Sequence, residues 1–228
     1  MHKTPLGVGR LDYQVPDGVS DEQALDPERI RAQIQAHLDH IGVDLPWEIE
    51  WTTIYKPNAL TLARYHHGRV LFCGDAAHLL PVFGVRGMNT GVQDSINLGW
   101  KLAAIVKGQA EAGLLDSFSC ERVADARQIC VEAARSTRMV APPTQGYRTL
   151  QLAVLSLALD SPWVRGLLHW RTSRPIDCAD SPLTLVDATD VAFDGGPHPG
   201  AAPRNARLDP LRPEAGFLLD HFGPAFHV

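Results

Sequence analysis

No long basic run occurs in this chain, and its formal net charge is -5. Phosphate backbones are gripped by clustered Lys and Arg, so nucleic acid is excluded as the main partner. Cysteine is scarce: Cys73, Cys120, Cys130 and Cys178 are widely spaced and form no C-x-x-C pair. That usage suits reduced thiols in a cytoplasmic protein and gives sulfur no metal-ligating cluster. The apolar stretch Leu150 to Leu159 is too short for a hydrocarbon core of roughly 30 Å, and the first residues contain no apolar signal-peptide core. Neither a membrane nor a secretory location is expected. Two catalytic signatures are also missing. Without a G-x-S-x-G elbow, Ser117, Ser119 and Cys120 near Asp116 do not make a hydrolase site. Gly7-Val8-Gly9 has no strand before it and no third glycine, so it is not a dinucleotide-binding fingerprint. Internal repeats are absent as well.

Of the 228 residues, 45% are hydrophobic, enough for one ordinary core or two small ones. Residues 10 to 16 alternate apolar and polar like a half-exposed strand, and Pro16-Asp17-Gly18 reads as a turn. Asp26-Pro27-Glu28 opens a helix whose apolar stripe is Ile30, Ile34, Leu38 and Ile41, with Gly42 as its stop. His37 and His40 have a metal-compatible spacing, but no carboxylate–histidine motif surrounds them, and a solvated or packed face is the preferred reading. Trp47 to Tyr55 alternates again, as a second antiparallel strand would.

Residues Gly68 to Lys101 carry the densest signal. Val70 to Cys73 reads as a short buried strand, which places Asp75 at its carboxyl end, where open α/β sheets hold ligands. Glycines at 84, 87 and 91 make a loop from Pro81 to Gly91. Asn89 or Thr90 caps a helix running to about Lys107, with Gly108 as the stop. The unpaired N–H groups at Met88 to Gly91 carry positive partial charge, so an electron-rich carbonyl or an anion is the expected guest. Further on, Asp116 is expected to cap a long helix to about Val140, broken by Ala141-Pro142-Pro143. Arg148 to Leu159 is apolar on nearly every side, which predicts burial, and a short helix follows over 162 to 171. A Pro/Gly-rich linker near 194 to 206 marks a boundary.

The central stretch resembles the second flavin motif of the FAD-dependent aromatic hydroxylases, the family with the para-hydroxybenzoate hydroxylase fold. The residues that carry the likeness are Gly74-Asp75-Ala76-Ala77-His78, Pro81, Gly84, Gly87, Asn89, Gly91, Asp94, Asn97-Leu98 and Trp100-Lys101-Leu102. Arg10 to Gly18 looks like the family's substrate-domain strand. Ser181-Pro182-Leu183 and Gly196 to Gly200 look like the linker of the phenol and hydroxyphenylpropionate hydroxylase branch, which leads into a thioredoxin-like domain.

The resemblance implies an α/β class with an α+β character: an incomplete part of the FAD-binding and substrate domains, with a helical C-terminal part. The expected divisions are 1–66 for a substrate-domain remnant, 67–140 for the C-terminal part of the FAD-binding domain, 141–193 for a helical segment, and 194–228 for a linker and the start of a further domain. It implies a flavin site in which Gly74, Asp75, Pro81, Gly84, Gly87, Met88 and Asn89 contact FAD. Asp75 would accept from the ribityl hydroxyls, Pro81 would border the isoalloxazine ring, and the Met88 and Asn89 amides would face its N1 and C2 carbonyl.

Departures from the pattern are Val82, where a second proline is common, and Val85-Arg86 before Gly87; Arg86 either steers anionic charge or points to solvent, the preferred reading. By the family pattern His78 is structural, whereas Trp100 and Lys101 read as helix packing and a snorkelling cation. The implied function is hydroxylation of a phenolic or aromatic substrate with NAD(P)H and O₂. The implied partner is a separate chain supplying the missing dinucleotide-binding half, or a second copy in a homodimer. The alternative is a truncated, non-catalytic remnant or association module without its own flavin.

Overall fold

The computed structural model describes the chain apart from residues 1, 5, 6, 82–85, 169–175, 187–195, 210, 212 and 224–228. Two compact units emerge, Met1–Pro57 and Asn58–Val228.

In the first unit, β1 (His2–Lys3) pairs antiparallel with β2 (Gly9–Arg10). A short helix α1 (Asp21–Ala24) starts with a capping box, in which the Ser20 hydroxyl accepts from the Gln23 N–H and the Gln23 side chain accepts from the Ser20 N–H. Helix α2 (Pro27–His40) begins as expected: the Asp26 carboxylate accepts from the Arg29 N–H at 2.8 Å, with proline in the first turn. Of its stripe, Leu38 is buried, Ile30 and Ile34 are half-buried, and Ile41 is exposed. His37 packs edge-on against Tyr13, and among the described residues no group of three or more His, Cys, Asp or Glu is placed to hold a metal.

The two expected strands of this region are largely absent. Only Gly9–Arg10 of the first is paired, and Trp47 to Tyr55 enters no ladder, with Trp51 77% exposed. Alternation defines two faces, but a strand forms only where a neighbouring strand lies alongside, and among the described residues no strand is paired with Trp47 to Tyr55.

The second unit opens with β3 (Leu60–Thr61), which pairs with β6 (His78–Leu79). Between them, β4 (His66–His67) and β5 (Val70–Leu71) form a hairpin turned at Gly68, whose φ of 61° suits glycine. The expected buried strand is thus a half-exposed hairpin arm, with Val70 exposed. A 3₁₀ turn (Gly74–Ala76) follows, then helices α3 (Gly87–Val106), α4 (Leu114–Val140), α5 (Gln145–Leu157) and α6 (Arg165–Leu168).

Helix α3 stops at Gly108, with φ 69°, as expected. Asp116 does not cap α4, which starts one turn earlier from Gly113; its carboxylate instead accepts from Arg64 at 2.6 Å and lies 3.3 Å from His66 Nδ1. Helix α5 is capped by the Thr144 hydroxyl, and only its Val154 is buried. The burial expected for this apolar segment is not found: Leu150, Leu152, Leu155 and Leu157 are exposed. The described part of the linker folds back, with the Cys178 N–H donating to the Gly200 carbonyl at 2.8 Å. No helix among the described residues is long and apolar enough to cross a membrane.

The core gathers Tyr65, Ala77, Leu98, Leu115, Phe118, Val123 and Ala126, so it lies where the hairpin, the 3₁₀ turn, α3 and α4 meet. Phe118 is fully buried and packs against the Tyr65 ring at 6.1 Å. Phe118→Ala is therefore expected to cost about 3–5 kcal/mol in chemical denaturation, whereas Trp51→Ala should stay within about 0.5 kcal/mol.

Candidate flavin-binding site

The site is built where the 3₁₀ turn meets the start of α3. Gly74 has φ 57°, a conformation that side chains resist, and a Cβ at Gly91 would sit 3.3 Å from the Gly74 Cα. Two glycines thus let the turn lie directly on the helix. Beside this contact runs an open groove of about 500 Å³ lined by Cys73, Gly74, Met88, Gly91, Val92, Ser95 and Ile96.

Of the expected site residues, Asp75 stands exposed in the 3₁₀ turn, without a hydrogen-bond partner among the described residues. Pro81 is buried, Gly87 is half-buried, and Met88 and Asn89 are exposed in the first turn of α3. Gly84 lies outside the described residues. Helix α3 begins at Gly87, not at Asn89 or Thr90, and its N-cap is Arg86 with no side-chain cap. The Thr90 N–H donates to the Arg86 carbonyl at 2.9 Å. No acidic residue stands in the first turn to neutralise the positive end of the helix. Of these residues Gly74 and Met88 line the groove, with Asp75 next in the chain to Gly74 and with Gly87 and Asn89 flanking Met88. Arg86 departs from the solvent reading: it is half-buried, and its Nε is buried without a hydrogen-bond partner.

Behind the groove lies a charged layer that sequence reasoning passed over. Asp94 on α3 is fully buried; its Oδ2 accepts from the Gly74 N–H and from His78 Nε2, each at 2.9 Å, and its Oδ1 from Arg122 Nε at 2.6 Å. Arg122 on α4 also donates to Asp125, and its Nη2 reaches the Thr90 carbonyl at 3.4 Å and Gln93 Oε1 at 3.3 Å. His78 must carry its proton on Nε2 to serve a carboxylate, and its Nδ1 is buried without a partner. Its placement is structural.

Two turns further along α3, Lys101 Nζ donates at 2.7 Å to Oε2 of Glu121, the residue before Arg122 on α4, joined by Asn97 at 2.6 Å, while Ser181 Oγ donates to Glu121 Oε1 at 2.5 Å. The snorkelling expected of Lys101 is overturned: the residue is fully buried, because an acceptor waits for it on α4.

Burial pushes the Asp94 carboxyl up, but hydrogen bonds from His78, Arg122 and Gly74 outweigh it and hold the group below its ordinary range. Glu121 is likewise held low against burial by Lys101, Ser181 and Asn97. Asp125 goes the other way: burial raises it, and the Arg122 contact offsets that only in part. Sequence offered one signal for this layer. Thr90, Asp94, Leu98 and Lys101 share a helical face with a core leucine, and so do Phe118, Arg122 and Asp125 on α4.

Residues 10–133, more than half of the chain, match the family model of the FAD binding domain. Among curated relatives, the 3-(3-hydroxy-phenyl)propionate/3-hydroxycinnamic acid hydroxylase of Mycolicibacterium vanbaalenii is 29% identical over 230 residues, covering 97% of this chain and 38% of the relative. The enzyme of that name from Mycobacterium avium is 37% identical over 139 residues, covering 60% of this chain and 23% of the relative. The chain thus spans well under half the length of these relatives. Among solved structures, the flavin-dependent monooxygenase PieE in complex with FAD and substrate superposes with TM-score 0.56 at 25% identity, over 84% of this chain and 38% of that one. RebC soaked with K252c gives TM-score 0.56 at 26% identity, over 82% and 37%. These neighbours have the FAD-binding monooxygenase fold, which agrees with the α/β reading of the sequence.

The carboxylate directions fix a sign for acid sensitivity. Asp94 and Glu121 bind protons less readily folded than unfolded, so their stabilisation is present above the ordinary carboxylate range of about 4 and is lost as pH falls through their lowered values. Asp125 opposes this. Denaturant midpoints should fall from pH 6 to pH 3, with a flatter profile in Asp94→Asn. That variant is also expected to lose about 3–5 kcal/mol at pH 7, because Arg122 is left without its main buried partner.

Proposed function

The chain belongs to the FAD binding domain family, and on that premise we propose that Gly74, Asp75, Pro81, Gly84, Gly87, Met88 and Asn89 hold the ribityl and isoalloxazine part of FAD. The protein they serve is a flavin-dependent monooxygenase that hydroxylates a phenolic ring with NAD(P)H and O₂.

The observation that carries this reading is the contact of two glycines beneath an exposed carboxylate, at the mouth of an apolar groove. The residues suit the group. Asp75 offers acceptor oxygens to sugar-alcohol hydroxyls, a task for a carboxylate that would repel a pyrophosphate. The first turn of α3 offers N–H donors and positive partial charge to an electron-rich carbonyl edge. Met88, Val92 and Ile96 line the groove with apolar surface for a flat ring. When bound, FAD supplies the redox chemistry with O₂ and NAD(P)H. The chain's own residues bind it, orient it and exclude water.

A phenol is the substrate class we infer, following the relatives' activity toward hydroxyphenylpropionate. Residues 1–228 contain no adenosine-binding G-x-G-x-x-G segment, so complete FAD binding draws that part from outside them, from a longer form of the chain or a separate chain. We infer a cytoplasmic setting from the reduced cysteines.

Titration with FAD, alone and with a G-x-G-x-x-G half supplied in trans, should quench flavin fluorescence and give phenol-stimulated NAD(P)H oxidation once both halves are present. Asp75→Ala is expected to weaken FAD binding roughly 10–100-fold, the worth of hydrogen bonds to a charged acceptor. Absence of flavin uptake even with the second half present would overturn the reading in favour of an association module.

A further inference from the structure

We propose that Arg122, acting through Asp94 and Thr90, is the positioning residue that sets the spacing between the Gly74 turn and the first turn of α3 beside the groove. This rests on the flavin reading for its ligand, although the positioning itself does not. Arg122 lies on α4, outside the central motif and away from the groove lining. Its guanidinium nevertheless bonds to α3 at two places and, through Asp94, is linked to the Gly74 turn as well. Through Nε it holds Asp94 Oδ1, whose other oxygen takes the Gly74 N–H and thereby fixes the turn that presents Asp75. Through Nη2 it holds the Thr90 carbonyl and Gln93, in the opening turns of α3 that present Met88 and Asn89. Nη1 is taken by Asp125 on its own helix, which locks the fork in rotation.

A planar fork can serve these directions at once, whereas a lysine ammonium is a single point of donation on a flexible stem. The spacing matters because the Gly74 turn and the first turn of α3 must meet one rigid ligand. The Gly74–Gly91 contact leaves room for little adjustment.

The adjacent Lys101–Glu121 pair provides a matched control. It spans the same two helices with an equally buried charge, but donates nothing to Gly74, His78 or Thr90.

The experiment compares Arg122→Lys, Arg122→Met and Lys101→Met in the full chain, by ¹⁵N NMR of the Gly74 and Met88 amides and the His78 ring, and by FAD titration with the second half present. Both Arg122 variants should shift the Gly74 and His78 signals and weaken FAD binding roughly 10–100-fold. Lys101→Met, at equal or greater loss of Tm, should leave those signals in place and the affinity within about twofold. If the Arg122 variants leave the Gly74 and Met88 amides unmoved, or Lys101→Met moves them as far, the positioning role is overturned and Arg122 is only packing. Should the Arg122 variants not fold, Gln93→Ala decides: it removes one exposed acceptor of the same fork and should still shift the Met88 amide. A wild-type pair that takes up no FAD overturns the flavin reading alone, and the amide signals still decide the positioning.

Discussion

A guanidinium buried between two helices is the constraint on which this structure depends. Removing Arg122 and Asp94 from water carries a penalty of several kcal/mol per ion, which only close pairing and full hydrogen bonding repay. Both conditions are met. Asp94 accepts from the backbone, an imidazole and the guanidinium, while Arg122 spends its donors on Asp94, Asp125, Thr90 and Gln93. Such a cluster has one good arrangement, so it dictates where α3, α4 and the 3₁₀ turn stand relative to one another.

The remaining architecture of the second unit follows from that fixed point. The aromatic core of Tyr65 and Phe118 sits on one side of the cluster, joined to it through His78, whose ring lies 6.2 Å from Tyr65. Burial raises the Tyr65 hydroxyl to about 12, so it stays neutral while sharing a hydrogen bond with Thr61 across the β3 end. On the other side, Glu121 gathers Lys101, Asn97 and Ser181, which ties the segment after α6 to the helix pair. The groove then forms on the opposite face of α3. One face of a single helix buries charge and leucine, while the other offers apolar side chains beside a free carboxylate. This division of labour lets a rigid scaffold present a site whose own residues remain exposed.

Legibility varied with the kind of signal. Helix ends were well marked where local chemistry decides them: Asp26 with Pro27, Gly42, Gly108 and the Ala141-Pro142-Pro143 break all stand where the sequence puts them. Capping rests on a few neighbouring atoms, so a short window contains the answer. The strand expected at Trp47 to Tyr55 and the burial expected for α5 were not realised, because both depend on a partner surface elsewhere. Lys101 illustrates the same limit in charge: a lysine beside Trp100 reads as a surface residue until Glu121 is known to lie opposite.

By itself the sequence determined the ordered run from Gly74 to Leu102, its helix and its glycines, and with them membership of the FAD binding domain family. These features lie within one continuous stretch: glycine at 74 is required by its own positive φ, and glycine at 91 by the close approach of the Gly74 turn. Only the tertiary structure decided that Asp94, a letter within that run, is buried and bonded to the turn, and that Arg122, from a helix beyond it, bonds to both Asp94 and Thr90. The reason is that a hydrogen bond across 28 residues between Arg122 and Asp94 leaves no periodic or local trace. The packing of α3 on α4 brings the two charges together, and burial then makes their pairing obligatory.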